Sequence, residues 1–240
     1  MGRHFEVRAA SMAKTAQKKS TLYMRASKEI YMAAKQGEPN PDMNMVLRAV
    51  MEKYRGQGVP KEIIERAINK AHGIGEEDTQ YVEGQYEAMG PGGWMMVVQT
   101  LSDNATRAFN EIRSNTVKKD GQMTTVNYAF EELGVFVFSG DNVDEVEETL
   151  ILSDIDVQDI EHEGGKIQVQ VTPSHFGKTR DTLMNDLGVK DFDMAEIRMI
   201  AQDLVKLSGE DEKKFLELLD KLDDLEDVQA IFHNVELNED

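Results

Sequence analysis

Residues 156–171 read DVQDIEHEGGKIQVQV, and they set the fold of the middle of the chain. Ile167, Val169 and Val171 alternate with Lys166, Gln168 and Gln170. A period of two is the pattern of a strand with one buried and one wet face, so a hairpin of 156–162 and 165–171 is predicted. Ahead of it, 142–152 carries Val143, Val146 and Leu150 at helical spacing, and 133–139 reads as a strand before that. After the hairpin, a helix with Phe176, Leu183 and Leu187 runs to Gly188, and a strand follows near 192–200. Strand–helix–strand–strand–helix–strand is the split βαβ order of a ferredoxin-like domain, here spanning 132–200.

The flanks of that segment also belong together. Residues 82–88 and 93–101 are predicted to form a hairpin around Gly90-Pro91-Gly92-Gly93, a tight turn needing positive φ. It leads into a strand, without the helix N-terminus that would aim amides at a phosphate, and Trp94 at that strand's start reads as core. A helix capped by Ser102 or Asp103 follows, with Ala105, Ala108, Phe109 and Ile112 on one side, then a strand over 124–130. At the far end an acidic helix, 209–224, precedes a strand at 228–235. Residues 80–131 and 201–240 are therefore expected to form one α/β domain into which 132–200 is inserted.

Residues 1–75 read as all-helical. Tyr23, Ala26, Ile30 and Ala33 follow helical spacing up to a cap at Gly37. Asn40-Pro41 looks like a helix start ahead of Met43, Leu47, Val50, Met51 and Tyr54. Pro60 opens a third helix with Ile63, Ile64, Ala67, Ile68 and Ala71 inward. Three short helices with short connections predict a small bundle, tied to the rest by the linker GIGEEDT at 73–79. The fold class expected is thus α+β: an amino-terminal three-helix domain followed by two α/β domains, one inserted in the other.

Composition bounds the function. The 240 residues are 40% hydrophobic and contain no cysteine, which excludes disulfides and thiolate metal sites. No apolar run reaches the roughly 20 residues that cross a bilayer. Residues 1–36 have the basic, acid-poor character of a transit peptide, but Glu6 and the lack of a cleavage-like boundary argue against one; a cytoplasmic protein is expected. The net charge of −18 is segregated: residues 1–72 carry 14 Lys/Arg and 7 Asp/Glu, whereas the other 168 carry 13 and 38. One end is therefore +7 and the body −25. Phosphate attraction is local, within a Debye length of roughly 8 Å, so the basic end can meet a polyanion that the body repels.

No catalytic pattern emerges. His4, His72, His162, His175 and His233 are scattered, and none pairs with another at helical spacing to make a metal face. Neither a nucleophile elbow nor a P-loop is present. Asp141, Asn142 and Asp144 lack EF-hand spacing and read as helix capping. The acids of 220–227 read as the solvated face of a helix whose apolar side is Phe215, Leu218, Leu219, Leu222 and Leu225. Phe136 and Phe138 lie on a ferredoxin-like strand but lack the basic neighbours of an RNA-recognition motif, so that domain is expected to pack or to meet protein. A non-enzymatic chain without metal or cofactor is expected.

The run Lys221–Asn234 (KLDDLEDVQAIFHN) resembles the closing signature of the YebC/PmpR family. Gly90-Pro91-Gly92-Gly93 before an apolar strand and Ser102-Asp103-Asn104 opening a helix resemble it too. So does the basic opening: Gly2-Arg3-His4, then Lys14, Lys18 and Lys19. The likeness spans essentially the whole chain. The family's usual Trp in the opening is missing, with Phe5 nearby. The resemblance implies three domains and a cytoplasmic regulator described as DNA-binding; organellar relatives look like translational activators, which points to RNA or the ribosome.

The expected contacts are Arg3, His4, Arg8, Lys14, Lys18, Lys19, Arg25 and Lys28, clustered against Glu6 alone. Such cations release counterions on meeting phosphates, and they position a protein without reading sequence. The leading expectation is a DNA-binding transcriptional regulator. The alternatives are a translation factor bound to ribosomal RNA and a protein-interaction scaffold; an amphipathic membrane helix is disfavoured because bulky apolar residues are missing from one face.

Overall fold

The computed structural model describes residues 19–38, 40–73 and 80–237. Among them the chain opens with three helices, α1 (Lys19–Lys35), α2 (Met45–Gly56) and α3 (Lys61–Ala71). Ile30, Leu47 and Ile64 meet with no exposed surface, and Ala26, Ala34 and Ala67 let the helices approach. Each such aliphatic side chain contributes about 1.5–3 kcal/mol by leaving water. The cap of α2 differs from expectation: it is Asn44, not Asn40. Asn44 Oδ1 accepts from Leu47 N at 3.0 Å, while its Nδ2 donates to Ala33 O and Glu38 O, each at 2.9 Å. One side chain so closes α1 and opens α2. Asn40 instead accepts from the Asp42 amide in a local turn.

The first sheet contains β1 (Val82–Met89), β2 (Met95–Ser102), β3 (Gln122–Met123) and β8 (Val228–His233). Their order across it is β3-β1-β2-β8. Helix α4 (Ala105–Val117) precedes β3, and α7 (Gly209–Asp223) precedes β8. β1 pairs antiparallel with β2 from Val82↔Ser102 to Met89↔Met95. The turn between them has Gly92 and Gly93 at φ +76 and +80, as expected of a tight turn. At Gly90 a Cβ would lie 2.2 Å from the Trp94 ring, so only glycine lets that indole fold under the turn. Trp94 is core, packed on Phe215 of α7.

Two expectations fail here. No strand spans 124–130: the Thr124 amide donates to Glu87 O and the Val126 amide to Glu87 Oε2, so one glutamate satisfies what a ladder would have, and a 3-10 turn follows at Asn127–Ala129. And the cap of α4 is Asn104, whose side chain accepts from Arg107 N, while Ser102 Oγ accepts from Asn104 N.

The second sheet is built entirely between β3 and β8 in the chain. Its strands are β4 (Phe130–Ser139), β5 (Val157–Glu163), β6 (Lys166–Val171) and β7 (Met194–Ala201), with α5 (Val143–Leu152) after β4 and α6 (Phe176–Asn185) after β6. The order across the sheet is β5-β6-β4-β7. β6 lies antiparallel between β4 and β5, splitting the β4–α5–β5 unit as the ferredoxin-like order requires. Phe136 and Phe138 are buried with Leu150, Ile167, Val169 and Leu183, and Phe136 stacks on Phe176 at 4.7 Å. Asn142 caps α5 by accepting from Glu145 N, the capping read for residues 141–144.

The wet face predicted for β6 is not wet. Gln168 and Gln170 are 0% and 2% exposed, because Leu133, Val135 and Val137 of β4 make that face of the sheet apolar as well. Gln168 Nε2 donates to Glu161 at 3.4 Å, which recovers one hydrogen bond. The architecture is α+β, with one sheet inserted in the other's chain. The chain divides into two compact units, residues 127–206 with 232–237, and residues 19–126 with 207–231.

Candidate nucleic-acid interface

Five of the eight expected contacts, Arg3, His4, Arg8, Lys14 and Lys18, lie outside the described residues; Lys19 is the first residue of α1. Arg25 and Lys28 follow on α1, where they are 8% exposed and partly exposed. They are engaged, and their partners are carboxylates of this same chain.

Arg25 donates from Nη1 and Nη2 to Asp223 Oδ1, both at 3.2 Å, and from Nη2 to Asp223 O at 2.7 Å. Lys28 Nζ donates to Asp227 Oδ1 at 2.6 Å and to Glu226 O at 3.0 Å. Asp227 receives Arg107 of α4 as well, through Nη2 at 2.7 Å and Nε at 3.2 Å, and Arg107 also holds Asp103 at 2.8 Å. Asp227 is 3% exposed. Burial alone would push its carboxyl up, but hydrogen bonds from Lys28, Arg107 and Ser102 outweigh that and hold it below the usual carboxylate range. The Arg107 guanidinium is pushed up by the bonds to Asp227 and Asp103. Tyr81 completes the cluster. It stands edge-on to Tyr31 of α1 at 5.5 Å, under the Lys28 ammonium, and burial followed by the Asp103 charge raises its hydroxyl.

Asp220, Asp224 and Glu226 are exposed, as read for a solvated face, but two acids of 220–227 depart from that reading. Asp223 and Asp227 are drawn in by cations, one at the last turn of α7 and the other just ahead of β8. The signal that could have found them is a four-residue spacing of acids at the edge of an apolar helical stripe, with basic residues elsewhere needing partners.

Other cations of the bundle face outward. Arg55 and Arg66 are exposed, with no ion pair among the described residues. Lys53 pairs with Glu29 and Lys61 with Glu65. Among the described residues no three His, Asp or Glu side chains are grouped to hold a metal, and no helix is long and apolar enough to cross a membrane. Phe136 and Phe138 are sealed in the core, so the ferredoxin-like sheet offers no aromatic platform from β4.

A basic three-helix region joined to two interleaved α/β sheets, with two of its cations paired to the body's own acids, defines the class: a multidomain α+β protein whose charge is segregated along the chain. Residues 3–74 match the family model of the TACO1/YebC protein N-terminal domain, and residues 81–235 that of the TACO1/YebC second and third domain. The chain belongs to the TACO1/YebC family. It is 43% identical to a probable transcriptional regulatory protein of Vibrio parahaemolyticus, over 99% of this chain and 100% of that one. A protein of Mesoplasma florum with the same description is 45% identical over 98% and 99% of the two chains. The crystal structure of a conserved hypothetical protein from Aquifex aeolicus superposes with a TM-score of 0.77 at 29% identity, covering 95% and 94%.

Proposed function

We propose that the chain is a non-enzymatic regulator of gene expression that binds nucleic acid through its basic amino-terminal region, with DNA the leading target. The observation that carries this is the charge segregation, +7 over residues 1–72 against −25 over the remainder. A concentrated set of cations attracts phosphates while the acidic body orients the polyanion toward it. The description of the relatives as probable transcriptional regulatory proteins supports the same reading. Lys14, Lys18 and Lys19 are the proposed principal contacts, with Arg3, His4 and Arg8 ahead of them. The protein works in the cytoplasm and presents acidic α/β surfaces to other proteins.

A second reading, binding to ribosomal RNA as a translation factor, is favoured by one feature. Helix α3, which would be the recognition helix of a helix-turn-helix, exposes Glu62 and Glu65 beside Lys61 and Arg66. That mixed face suits neither base reading nor a tight fit to the major groove. Sedimentation of the protein through sucrose gradients of cell lysate, at low and moderate salt, tests the pair. Migration with ribosomes that Lys14→Glu/Lys18→Glu/Lys19→Glu abolishes assigns the RNA target. Protein that stays at the top, with promoter DNA recovered by chromatin immunoprecipitation, assigns DNA; recovery of neither ends both readings.

A further inference from the structure

The bundle and the α/β body are joined in an unusual way for two parts of one compact unit. The bundle's apolar cluster, from Ala26 to Ala67, contains only residues of the helical region among the described residues, and so do the partly buried side chains packed on it. Ion pairs fasten α1 to the body, Arg25 on Asp223, Lys28 on Asp227 and the Glu226 carbonyl, together with one aromatic contact, Tyr31 on Tyr81. A bundle with its own core can leave the body without opening that core. The attachment is also one whose net energy is small for its appearance. Desolvating Arg25, Lys28 and Asp227 opposes the Coulomb attraction gained, so such a clasp stays closed by a modest margin that a polyanion can overcome.

From this we infer that Asp223 and Asp227 form an electrostatic latch, in which two carboxylates of the body occupy on Arg25 and Lys28 the places that nucleic-acid phosphates take when the bundle swings free. The inference rests on the proposed nucleic-acid reading and adds a regulation to it. A carboxylate and a phosphate offer these cations the same chemistry, charged oxygen acceptors at hydrogen-bond distance. Polyanion and latch therefore compete for the same two side chains. Phosphates first gather at Lys14, Lys18 and Lys19, and local concentration then favours exchange at Arg25 and Lys28. Arg107 keeps Asp227 paired after Lys28 departs, so the opened body is not left with an uncompensated buried charge. Closed, the protein shows a reduced cation set and weak affinity for stray polyanions; open, it holds the target with two further contacts.

The experiment uses the full chain with two introduced cysteines, at Ala49 on α2 and Lys213 on α7, both exposed and the only thiols present. Spin labels there report the bundle–body distance, with and without a short mixed-sequence duplex DNA or a ribosomal RNA hairpin. The expected result is a lengthened distance on adding either probe to the wild type, and a lengthened distance without probe in Asp223→Asn/Asp227→Asn. The double variant is expected to bind the duplex roughly five- to tenfold more tightly per freed cation at 0.1 M salt, with the salt slope steeper by about 0.9 for each. Asp223→Asn alone, at a partly exposed side chain, gives half the effect should the double variant fold poorly. Wild-type binding that depends on Lys14, Lys18 and Lys19, with an unchanged distance and no gain in either variant, overturns the latch and leaves the nucleic-acid reading standing. A wild type that binds neither probe while the double variant opens and binds supports both. Absence of binding in every form overturns both.

Discussion

The helical region and the inserted ferredoxin-like segment are built by the same rule and charged by opposite ones. Each has a core of fully buried aliphatics, Ile30, Leu47 and Ile64 in one, Leu150, Val169 and Leu183 in the other. Residues 1–72 carry 14 Lys/Arg and 7 Asp/Glu, whereas residues 127–206 carry 6 and 18. Burial is indifferent to the sign of the surface, so the cores specify where each region folds and leave the surface free to choose a partner. Fold and surface charge are thus written in separate residues here, and substitutions can address them one at a time.

The greatest change is expected in a core. Phe136→Ala removes a ring packed between Phe176 and Phe192 at a position with no exposed surface. It should cost about 3–5 kcal/mol. Thermal unfolding followed by circular dichroism should then resolve an early transition for the inserted segment, with duplex binding retained below it. A single cooperative transition lowered as a whole would undo the distinction, because the two regions would not be separable folding units.

The next effect lies in the charges. Lys14→Glu/Lys18→Glu/Lys19→Glu should weaken binding to duplex DNA by about two to three decades at 0.1 M salt and flatten the salt slope. Asp144→Lys/Glu147→Lys/Glu148→Lys on the exposed side of α5 should leave the slope of fluorescence-anisotropy titrations unchanged. Changes of equal size and opposite sign in the two variants would mean that total charge governs binding and its placement does not.

How far this division can be read from the amino acids alone depends on what kind of residue carries it. The hairpin of β5 and β6 and the helices at 143–152 and 176–185 follow from Ile167, Val169, Val146 and Leu183, because a periodic apolar face has one way to be buried. The caps are harder: Asn40, Asn44, Ser102 and Asn104 all suit a cap, and only the surrounding carbonyls select among them. The loss of a strand at 124–130 turns on Glu87, distant in sequence, supplying acceptors to Thr124 and Val126. Gln168 and Gln170 mislead because alternation with polar residues usually marks a wet face, whereas β4 is apolar on both of its sides. In the candidate interface the cations Arg25 and Lys28 are visible in the sequence, but not their pairing with Asp223 and Asp227 about 200 residues on. Long-range ion pairing has no period, and it is the part a sequence does not display.

A third effect contrasts a buried charge with an exposed one. Asp227→Ala leaves Lys28 and Arg107 without their shared carboxylate and should cost about 3 kcal/mol. The sign of its pH dependence follows from the depressed carboxyl. Stability from Asp227 is fully present above the unfolded carboxylate range near pH 4 and is lost as pH falls through the lower folded value. Urea unfolding of Asp227→Asn between neutral pH and about pH 3 should therefore show a flatter acid limb than the wild type. Parallel limbs would show that the carboxylate's charge contributes nothing and that packing alone explains the loss.

The least effect belongs to the exposed counterpart, where Lys214 holds Asp120 at 2.7 Å and Lys119 holds Glu217. These bonds, then the neighbouring lysine charges, lower both carboxyls, yet in water and salt the pairs should be screened to little consequence. Asp120 has a second property, a backbone at φ +62, which asparagine tolerates and β-branched residues do not. Asp120→Asn, which removes the charge and keeps the conformation, should leave the melting temperature unmoved. Asp120→Val, which removes the charge and strains the turn before Gly121, should lower it. Equal drops in the two variants would assign the stabilisation to the Lys214 pair, and the contrast with Asp227 would then be one of degree.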